Sequence, residues 1–235
     1  MNLMKRPQMN YALAALLVAA SLIPASVRAQ ADAPKPTVSD SFSLTPEKKA
    51  GTSLAGTRTE TGDETWAAIG KFVYRPDGGI TFAESGHGGT ALVGIPGYSG
   101  TKPVRISADI NPTGSGHTAL AFLSTGSPGD FWKTVGLFIA FTPSGRLDVF
   151  SDKVANKIFT ADATAYDFKP GDYNHVELTY DPSAATVTVS ANGKELAKDV
   201  AVVTPPTISH AAIHFNEQMK ENEPAVKNFS VTVLP

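Results

Sequence analysis

The feature that most constrains the fold is an alternation of apolar and polar residues with a period of two. Val104–Ile110 reads VRISADI, in which every second residue is apolar. Since successive side chains of a strand point to opposite faces, this pattern predicts a β-strand with one buried face. Val176–Tyr180 and Thr186–Ser190 repeat the pattern. Helical periodicity is nearly absent beyond the N-terminus, so we expect an all-β chain with no helix longer than two turns.

Turn residues separate the predicted strands. Asp181–Ser183 has Asp and Pro in the turn positions that favour them, Pro143–Arg146 (PSGR) predicts another turn, and Asn192–Gly193 predicts a two-residue hairpin because both residues tolerate positive φ. Ala119–Leu123 and Val135–Phe141 are continuous apolar runs, which favour central strands covered on both faces. About a dozen strands with such turns predict a sandwich of two antiparallel sheets.

The N-terminus has the pattern of an export signal. Lys5 and Arg6 precede an apolar run at Ala12–Ile23, and small residues follow with cleavage sites after Ala29 or Ala31. A membrane anchor is the alternative, but the run is shorter than the ~20 residues that cross a bilayer. We therefore expect residues 1–29 to be a cleaved signal peptide.

The remaining chain is expected to form a Pro-rich leader at residues 30–38 and one domain at residues 39–235. It contains no Cys, which excludes disulfides, thiolate zinc sites and a Cys nucleophile. The net charge of −2 argues against nucleic acid as a partner. We predict a periplasmic or secreted protein with no membrane span in the mature chain.

Several motifs occur in order across residues 39–234. They are D-S-F at 40–42, L-A-G at 54–56, E-T-G at 60–62, Trp66, N-H-V-E-L-T-Y-D at 174–181, N-G-K at 192–194 and V-K-N-F-S-V-T-V at 226–233. This series resembles the bacterial concanavalin A-like (laminin G-like) jelly-roll superfamily. The resemblance implies a sandwich whose last strand pairs beside its first. The superfamily includes lectins, glycan-binding modules, glucanases, lyases and adhesion domains, so the fold alone does not select a function.

The carboxylate pattern of the superfamily's glucanases is missing. Those enzymes have E-x-D-x-E on one strand, which places the acid/base and the nucleophile on one face. The nearest alternative, Asp148 and Asp152, would lie about 13 Å apart along a strand, so we interpret both as solvated edge residues. Neither a G-x-S-x-G elbow nor the residue cluster of a jelly-roll lyase is recognisable.

The histidines give weak indications of a site. His210 and His214 lie four apart on a predicted strand, which places them on one face but too far apart for one zinc ion. His87 lies in a Gly-rich stretch, and we interpret it as a loop residue. The strand motif that carries the resemblance already accounts for His175.

Two aromatic residues are candidates for ligand contacts. Trp132 follows a loop-like segment and neighbours Asp130 and Lys133, and Tyr98 lies in a second Pro- and Gly-rich stretch. Flat rings at a rim stack on the apolar faces of sugars, and polar groups beside them bind hydroxyls. The alternative is that Trp132 begins a buried strand. We expect Trp66 to lie in the core.

The resemblance also implies a structural Ca²⁺ ion near the joined first and last strands, held by carboxylate and main-chain oxygens. Asp40 is the matching N-terminal acid. Glu217, in the acidic segment 216–223, would supply a second ligand.

The sequence therefore predicts an exported, non-catalytic carbohydrate-binding or surface-interaction module. The alternative is a glycan-active hydrolase or lyase of the same superfamily with an unrecognised active site. A structural envelope domain without a ligand is a third hypothesis.

Overall fold

The computed structural model describes residues 34–84, 88–152, 156–216 and 224–235, which fold as an all-β sandwich. Within these ranges there are fifteen strands, one short α-helix, and two turns of 3-10 helix at Pro128–Asp130 and Ala163–Ala165. The predicted fold class is confirmed. None of the described helices is long and apolar enough to cross a membrane.

The elements run in the following order along the chain. They are β1 (Val38–Asp40), β2 (Ala67–Ile69), β3 (Phe72–Tyr74), β4 (Ile80–Phe82), β5 (Gly89–Gly94), β6 (Val104–Asn111), β7 (Thr118–Leu123), α1 (Phe131–Thr134), β8 (Val135–Phe141), β9 (Leu147–Ser151), β10 (Lys157–Ala161), β11 (Asn174–Asp181), β12 (Thr186–Ala191), β13 (Lys194–Ala201), β14 (His210–Phe215) and β15 (Ala225–Val233).

Both sheets are antiparallel. The first has the order β13-β12-β11-β6-β15-β4-β3, and β1 also pairs with β15, so the first and last strands lie side by side. The second has the order β10-β9-β8-β7-β14-β5-β2. Several neighbours in each sheet come from distant parts of the sequence, such as β6 and β15 in the first sheet and β7 and β14 in the second. A surface on either sheet therefore combines residues that are far apart in the chain.

The core lies between the two sheets and is formed by alternate residues of their strands. In β11, Val176, Leu178 and Tyr180 are buried while the residues between them are partly exposed, as the alternation predicts. Trp66 is also buried, and its ring packs against Phe229 at 5.2 Å between centroids. The expectation that Trp66 belongs to the core is confirmed.

The predicted hairpin at Asn192–Gly193 is confirmed. Both residues have positive φ, 49° and 77°, and they connect β12 to β13. Sequence reasoning gave fewer strands than the structure contains. It missed β2, β10 and β13, because an edge strand with exposed side chains on both faces lacks the alternation of a half-buried strand.

Candidate functional site

The outer face of the second sheet carries the candidate site. Backbone pairing aligns one row of residues across five of its strands, in the order Thr90, His214, Ala119, Ala140 and Asp148. The neighbouring row is apolar and consists of Leu92, Ala212, Ala121, Phe138 and Phe150. These side chains form a second apolar cluster, separate from the core between the sheets. An outer face of this composition requires a cover.

The segment Pro128–Thr134 supplies part of that cover. Phe131 is only 4% exposed, and its ring stacks on the imidazole of His214 with 3.9 Å between centroids and 6° between planes. Phe131 also packs against Phe138, at 6.1 Å between ring centroids. The continuous apolar runs of β7 and β8 are therefore covered on both faces, by the core on one side and by this segment on the other.

Trp132 lies on the exposed side of the same helical turn. It is 39% exposed, and its ring meets His214 edge-on with 5.4 Å between centroids. The alternative that Trp132 begins a buried strand is wrong, because Trp132 belongs to α1, which precedes β8. The two consecutive aromatic residues thus differ, since Phe131 is an anchor and Trp132 presents part of its indole to solvent.

A cavity of about 190 Å³ opens beside Trp132. Its lining includes Ile69, Thr90, Phe131 and His214. Ile69 is 50% exposed, so two large apolar side chains frame the opening. We call this cavity the indole pocket.

The inner wall of the indole pocket is polar but uncharged. Nδ1 of His214 lies 2.9 Å from the hydroxyl oxygen of Thr90. Burial, together with the nearby His117, lowers the pKa of His214 to about 3. His214 is consequently neutral at physiological pH, and a neutral imidazole both donates and accepts hydrogen bonds.

Asp130 and Lys133 form an exposed ion pair on either side of Trp132 along the chain. Nζ of Lys133 donates to Oδ1 of Asp130 at 2.9 Å, and the hydroxyl of Ser127 donates to Oδ2 at 3.2 Å. The hydrogen bond between the two charged groups lowers the pKa of Asp130 and raises the pKa of Lys133. The structure therefore brings three of the four predicted ligand contacts onto one segment.

Tyr98, the fourth predicted contact, lines a different cavity. That cavity has a volume of about 400 Å³ and is bounded by Tyr98, Tyr180 and Pro206. The Tyr98 hydroxyl donates to the carbonyl of Lys102 at 3.1 Å, and burial raises the pKa of Tyr98 to about 12. Tyr98 is not a lining residue of the indole pocket.

Sequence reasoning did not single out Ile69 or Thr90, and it considered His214 only with His210 as a zinc pair. Ile69, Thr90 and His214 join only because β2, β5 and β14 are neighbours in the sheet. His117 also approaches His214, with 6.3 Å between ring centroids, and burial lowers the pKa of His117. Contacts between residues of strands that are neighbours only in the sheet cannot be recognised from the spacing of residues along the chain.

The interpretation of Asp148 as a solvated edge residue is wrong. Asp148 is buried on the outer face, accepts a hydrogen bond from the Thr160 hydroxyl at 2.7 Å, and forms ion pairs with Arg146 and Lys157 at 3.0 and 3.1 Å. Two cations from neighbouring segments balance its charge. It is therefore a paired structural carboxylate.

Asp40, the predicted calcium ligand, is fully buried and already has three donors. Its oxygens accept hydrogen bonds from the amide of Phe42 (2.9 Å), the indole N–H of Trp66 (3.0 Å) and Nζ of Lys48 (3.0 Å). Lys48 thus provides the positive charge that the prediction assigned to Ca²⁺. Glu217 lies outside the described residues. The described part of the chain contains no cluster of three or more His, Cys, Asp or Glu residues suited to a metal ion.

A charged network occupies the outer face of the first sheet. His175 lies between two carboxylates, with Nδ1 at 2.7 Å from Asp109 and Nε2 at 3.4 Å from Glu177. The hydrogen bonds to these groups raise the pKa of His175 to about 9, and they lower the pKa of Asp109 and of Glu177. Both carboxylates are therefore ionised at neutral pH, whereas a glycosidase needs one protonated acid. Nδ1 of His210 forms a hydrogen bond with the hydroxyl of Ser209 at 2.7 Å, and His87 lies outside the described residues.

Comparison with known proteins identifies the fold as concanavalin A-like. No protein-family model matches the sequence, and no curated protein matches it either. Among solved structures, the exoplasmic/lumenal domain of VIP36 in its metal-free form is similar, with a TM-score of 0.53 and 12% identity over 86% of this chain and 94% of that one.

Two further structures have the same architecture. The VIP36 domain bound to Ca²⁺ and Man matches with a TM-score of 0.53 and 12% identity, covering 82% of this chain and 92% of that one. The carbohydrate-binding module CBM66 from Bacillus subtilis matches with a TM-score of 0.52 and 12% identity, covering 76% and 96%. At these identities the comparisons establish the shared jelly roll.

Proposed function

We propose that this protein is an exported carbohydrate-binding module and that the indole pocket holds a sugar ring. The observation that carries the proposal is the pair of exposed apolar side chains, Trp132 and Ile69, over a pocket with an uncharged polar wall. Apolar side chains that are exposed together at the opening of a pocket form the kind of patch that marks a binding site. The two similar proteins that were solved as carbohydrate complexes or modules support this class of ligand.

The chemistry of the pocket suits a pyranose. One face of a sugar ring presents C–H groups that stack on an aromatic ring, while the hydroxyls around the ring need hydrogen-bond partners. Trp132 provides the apolar surface, and the hydrogen-bonded pair of Thr90 and neutral His214 makes the inner wall polar without adding a charge. The exposed pair Asp130–Lys133 flanks Phe131 and Trp132 in the chain, and charged groups of this kind form strong hydrogen bonds with hydroxyls.

We propose binding without catalysis. Among the described carboxylates that approach another titratable group, Asp109 and Glu177 are both held ionised by His175, and Asp148 is paired with two cations. The enzyme hypothesis predicts released reducing ends or unsaturated products when the protein is incubated with polysaccharides. The binding hypothesis predicts retardation of the protein in polysaccharide gels with no such products.

Export is part of the same proposal, whereas calcium binding at Asp40 is not. The signal-like pattern at residues 1–29 supports delivery to the periplasm or the exterior, where polysaccharides are accessible. We do not assign Asp40 to calcium, because the Lys48 ammonium already neutralises this carboxylate. N-terminal sequencing of the exported protein tests the cleavage after Ala29 or Ala31.

The decisive experiment is the Trp132→Ala variant, titrated by calorimetry with the oligosaccharides that the wild-type protein binds. Loss of one stacking contact, on the order of 1 kcal/mol, weakens binding roughly tenfold or less. The matched control is Val203→Ala, because Val203 is 67% exposed and lies away from the indole pocket. Equal affinity of Trp132→Ala and wild type would reject the pocket, and failure of every glycan to bind would reject the function.

A further inference from the structure

Two more cavities continue from α1 along the loop that joins β13 to β14. The first has a volume of about 270 Å³ and is lined by Lys133, Asp152, Pro206 and Thr207. Lys133 directly follows Trp132 in α1, so one helical turn borders both this cavity and the indole pocket.

The second of these cavities contains Tyr98. Its volume is about 400 Å³, and Ser99 and Tyr180 line it together with Pro206 and Thr207. Since Pro206 and Thr207 line both cavities, the two adjoin each other. The cavity lined by Tyr98 and the cavity lined by Lys133 thus share Pro206 and Thr207 of one loop. The positions of these residues in the sequence do not predict this arrangement.

The shared loop is held firmly in place. Pro206 packs so closely on Gly136 that a Cβ atom at Gly136 would lie 2.3 Å from Cβ of Pro206. Ser209, at the end of the loop, donates from its amide to the carbonyl of Leu123 at 2.9 Å and from its hydroxyl to the carbonyl of Ser124 at 2.8 Å. A fixed wall lowers the entropic cost of binding an extended ligand.

From these observations we propose that the ligand is a linear, electrically neutral oligosaccharide that occupies the indole pocket and both adjoining cavities. This inference rests on the proposed function. At about 190 Å³ the indole pocket is smaller than the ~300–1,000 Å³ of typical ligand sites, and the adjoining cavities supply the missing contact surface.

We call the indole pocket and the two adjoining cavities together the groove. The charges along the groove favour an uncharged oligosaccharide. Lys133 is paired with Asp130, and Asp152 is a carboxylate that would repel an acidic sugar. The other polar side chains of these walls are mainly hydroxyls, from Ser99, Ser124, Thr134, Thr204 and Thr207. Hydroxyls exchange hydrogen bonds with uncharged sugars in either direction.

The test compares a neutral disaccharide with the hexasaccharide of the same sugar, both titrated into wild type and into Thr207→Trp. Thr207 is exposed and lines both adjoining cavities, so an indole there fills them without disturbing the core. We expect wild type to bind the hexasaccharide at least about tenfold more tightly than the disaccharide. Thr207→Trp should remove this advantage and leave disaccharide affinity unchanged.

Val203→Trp is the matched control, because it adds an indole to the same loop at a residue that lines neither cavity. Ser99→Trp places an indole in the cavity that contains Tyr98 and repeats the test if Thr207→Trp fails to fold. The proposal that the ligand extends along the groove would be wrong if wild type bound both sugar lengths with equal affinity. It would also be wrong if Thr207→Trp and Ser99→Trp both left the hexasaccharide affinity unaltered. In either case Trp132→Ala would still test sugar binding in the indole pocket separately. Tighter binding of an acidic hexasaccharide would overturn the neutral class, and failure of every glycan to bind would reject the proposed function together with the groove.

Discussion

At the scale of single residues, Lys48 is the side chain on which the buried carboxylate of Asp40 most depends. The ammonium lies 3.0 Å from Oδ2 of Asp40, and the remaining donors to that carboxylate are neutral. Removal of one partner of a buried ion pair leaves an uncompensated charge, which costs about 3–5 kcal/mol. Lys48→Met should therefore lower the free energy of unfolding in urea by about this amount.

Arg58→Met is the control for Lys48→Met. Arg58 pairs with Asp63 at the exposed surface, where ion pairs contribute little to stability. We expect this variant to unfold at nearly the same urea concentration as wild type. If both variants lose stability equally, Lys48 does not have the role assigned to it.

His175 should make the stability depend on pH. Its pKa rises from the ordinary 6.5 to about 9 in the folded protein, because Asp109 and Glu177 bind the imidazolium. A raised pKa means that the folded state holds the proton more tightly, so this contribution is complete below pH 6.5 and is lost as the pH rises through about 9.

Thermal melting over this pH range checks the prediction. The melting temperature of wild type should fall relative to that of His175→Gln, which lacks the titrating group. Asp109→Asn removes the main cause of the shift and should behave like His175→Gln. A constant difference between wild type and both variants across the range would contradict the prediction.

At the scale of elements, α1 contains two consecutive aromatic residues with different roles. Phe131 is buried against His214 and Phe138, whereas Trp132 is partly exposed. Phe131→Ala leaves a cavity between the segment and the sheet, and such truncations cost about 3–5 kcal/mol. Trp132→Ala should cost clearly less, because solvent already covers part of its ring.

Urea unfolding of Phe131→Ala and Trp132→Ala measures this difference directly. Phe131→Leu, which keeps most of the apolar volume, should recover much of the stability lost in Phe131→Ala. Similar losses for the two alanine variants would show that Trp132 is an anchor, and the indole pocket would then lose its exposed stacking surface.

At the scale of the whole molecule, the two outer faces of the sandwich differ in composition. The outer face of the first sheet carries the network of His175, Asp109 and Glu177, while that of the second is apolar and partly covered by Pro128–Thr134. Antiparallel order places β14 between β7 and β5, which brings His214 beside Thr90. The candidate site is thus a product of the sheet topology.

Much of the fold could be predicted from the sequence. The alternation in Val104–Ile110 and the Asn192–Gly193 turn are local features whose physical basis lies within a few residues. The edge strand Lys194–Ala201 could not be recognised in this way, because neither of its faces is fully buried. Its position follows from pairing with β12.

The candidate site was predictable only in part. Trp132 and its charged neighbours drew attention because they are contiguous in the sequence. Ile69 and Thr90 are unremarkable in their own strands, and His214 could be considered only together with His210, because these three residues meet through hydrogen-bonded neighbours of the sheet. Tyr98 proved to line a separate cavity, which adjoins the one at Lys133 through Pro206 and Thr207.

The sequence by itself determined the class of fold, the turns and the burial of alternate residues, because side-chain periodicity and backbone preference act over a few bonds. Tertiary structure alone decided which strands are neighbours, which aromatic of the Phe131–Trp132 pair is exposed, and that Lys48 neutralises Asp40. These outcomes depend on how the two sheets and their loops pack against each other. Contacts between residues that are distant in the chain are fixed only when that packing is complete.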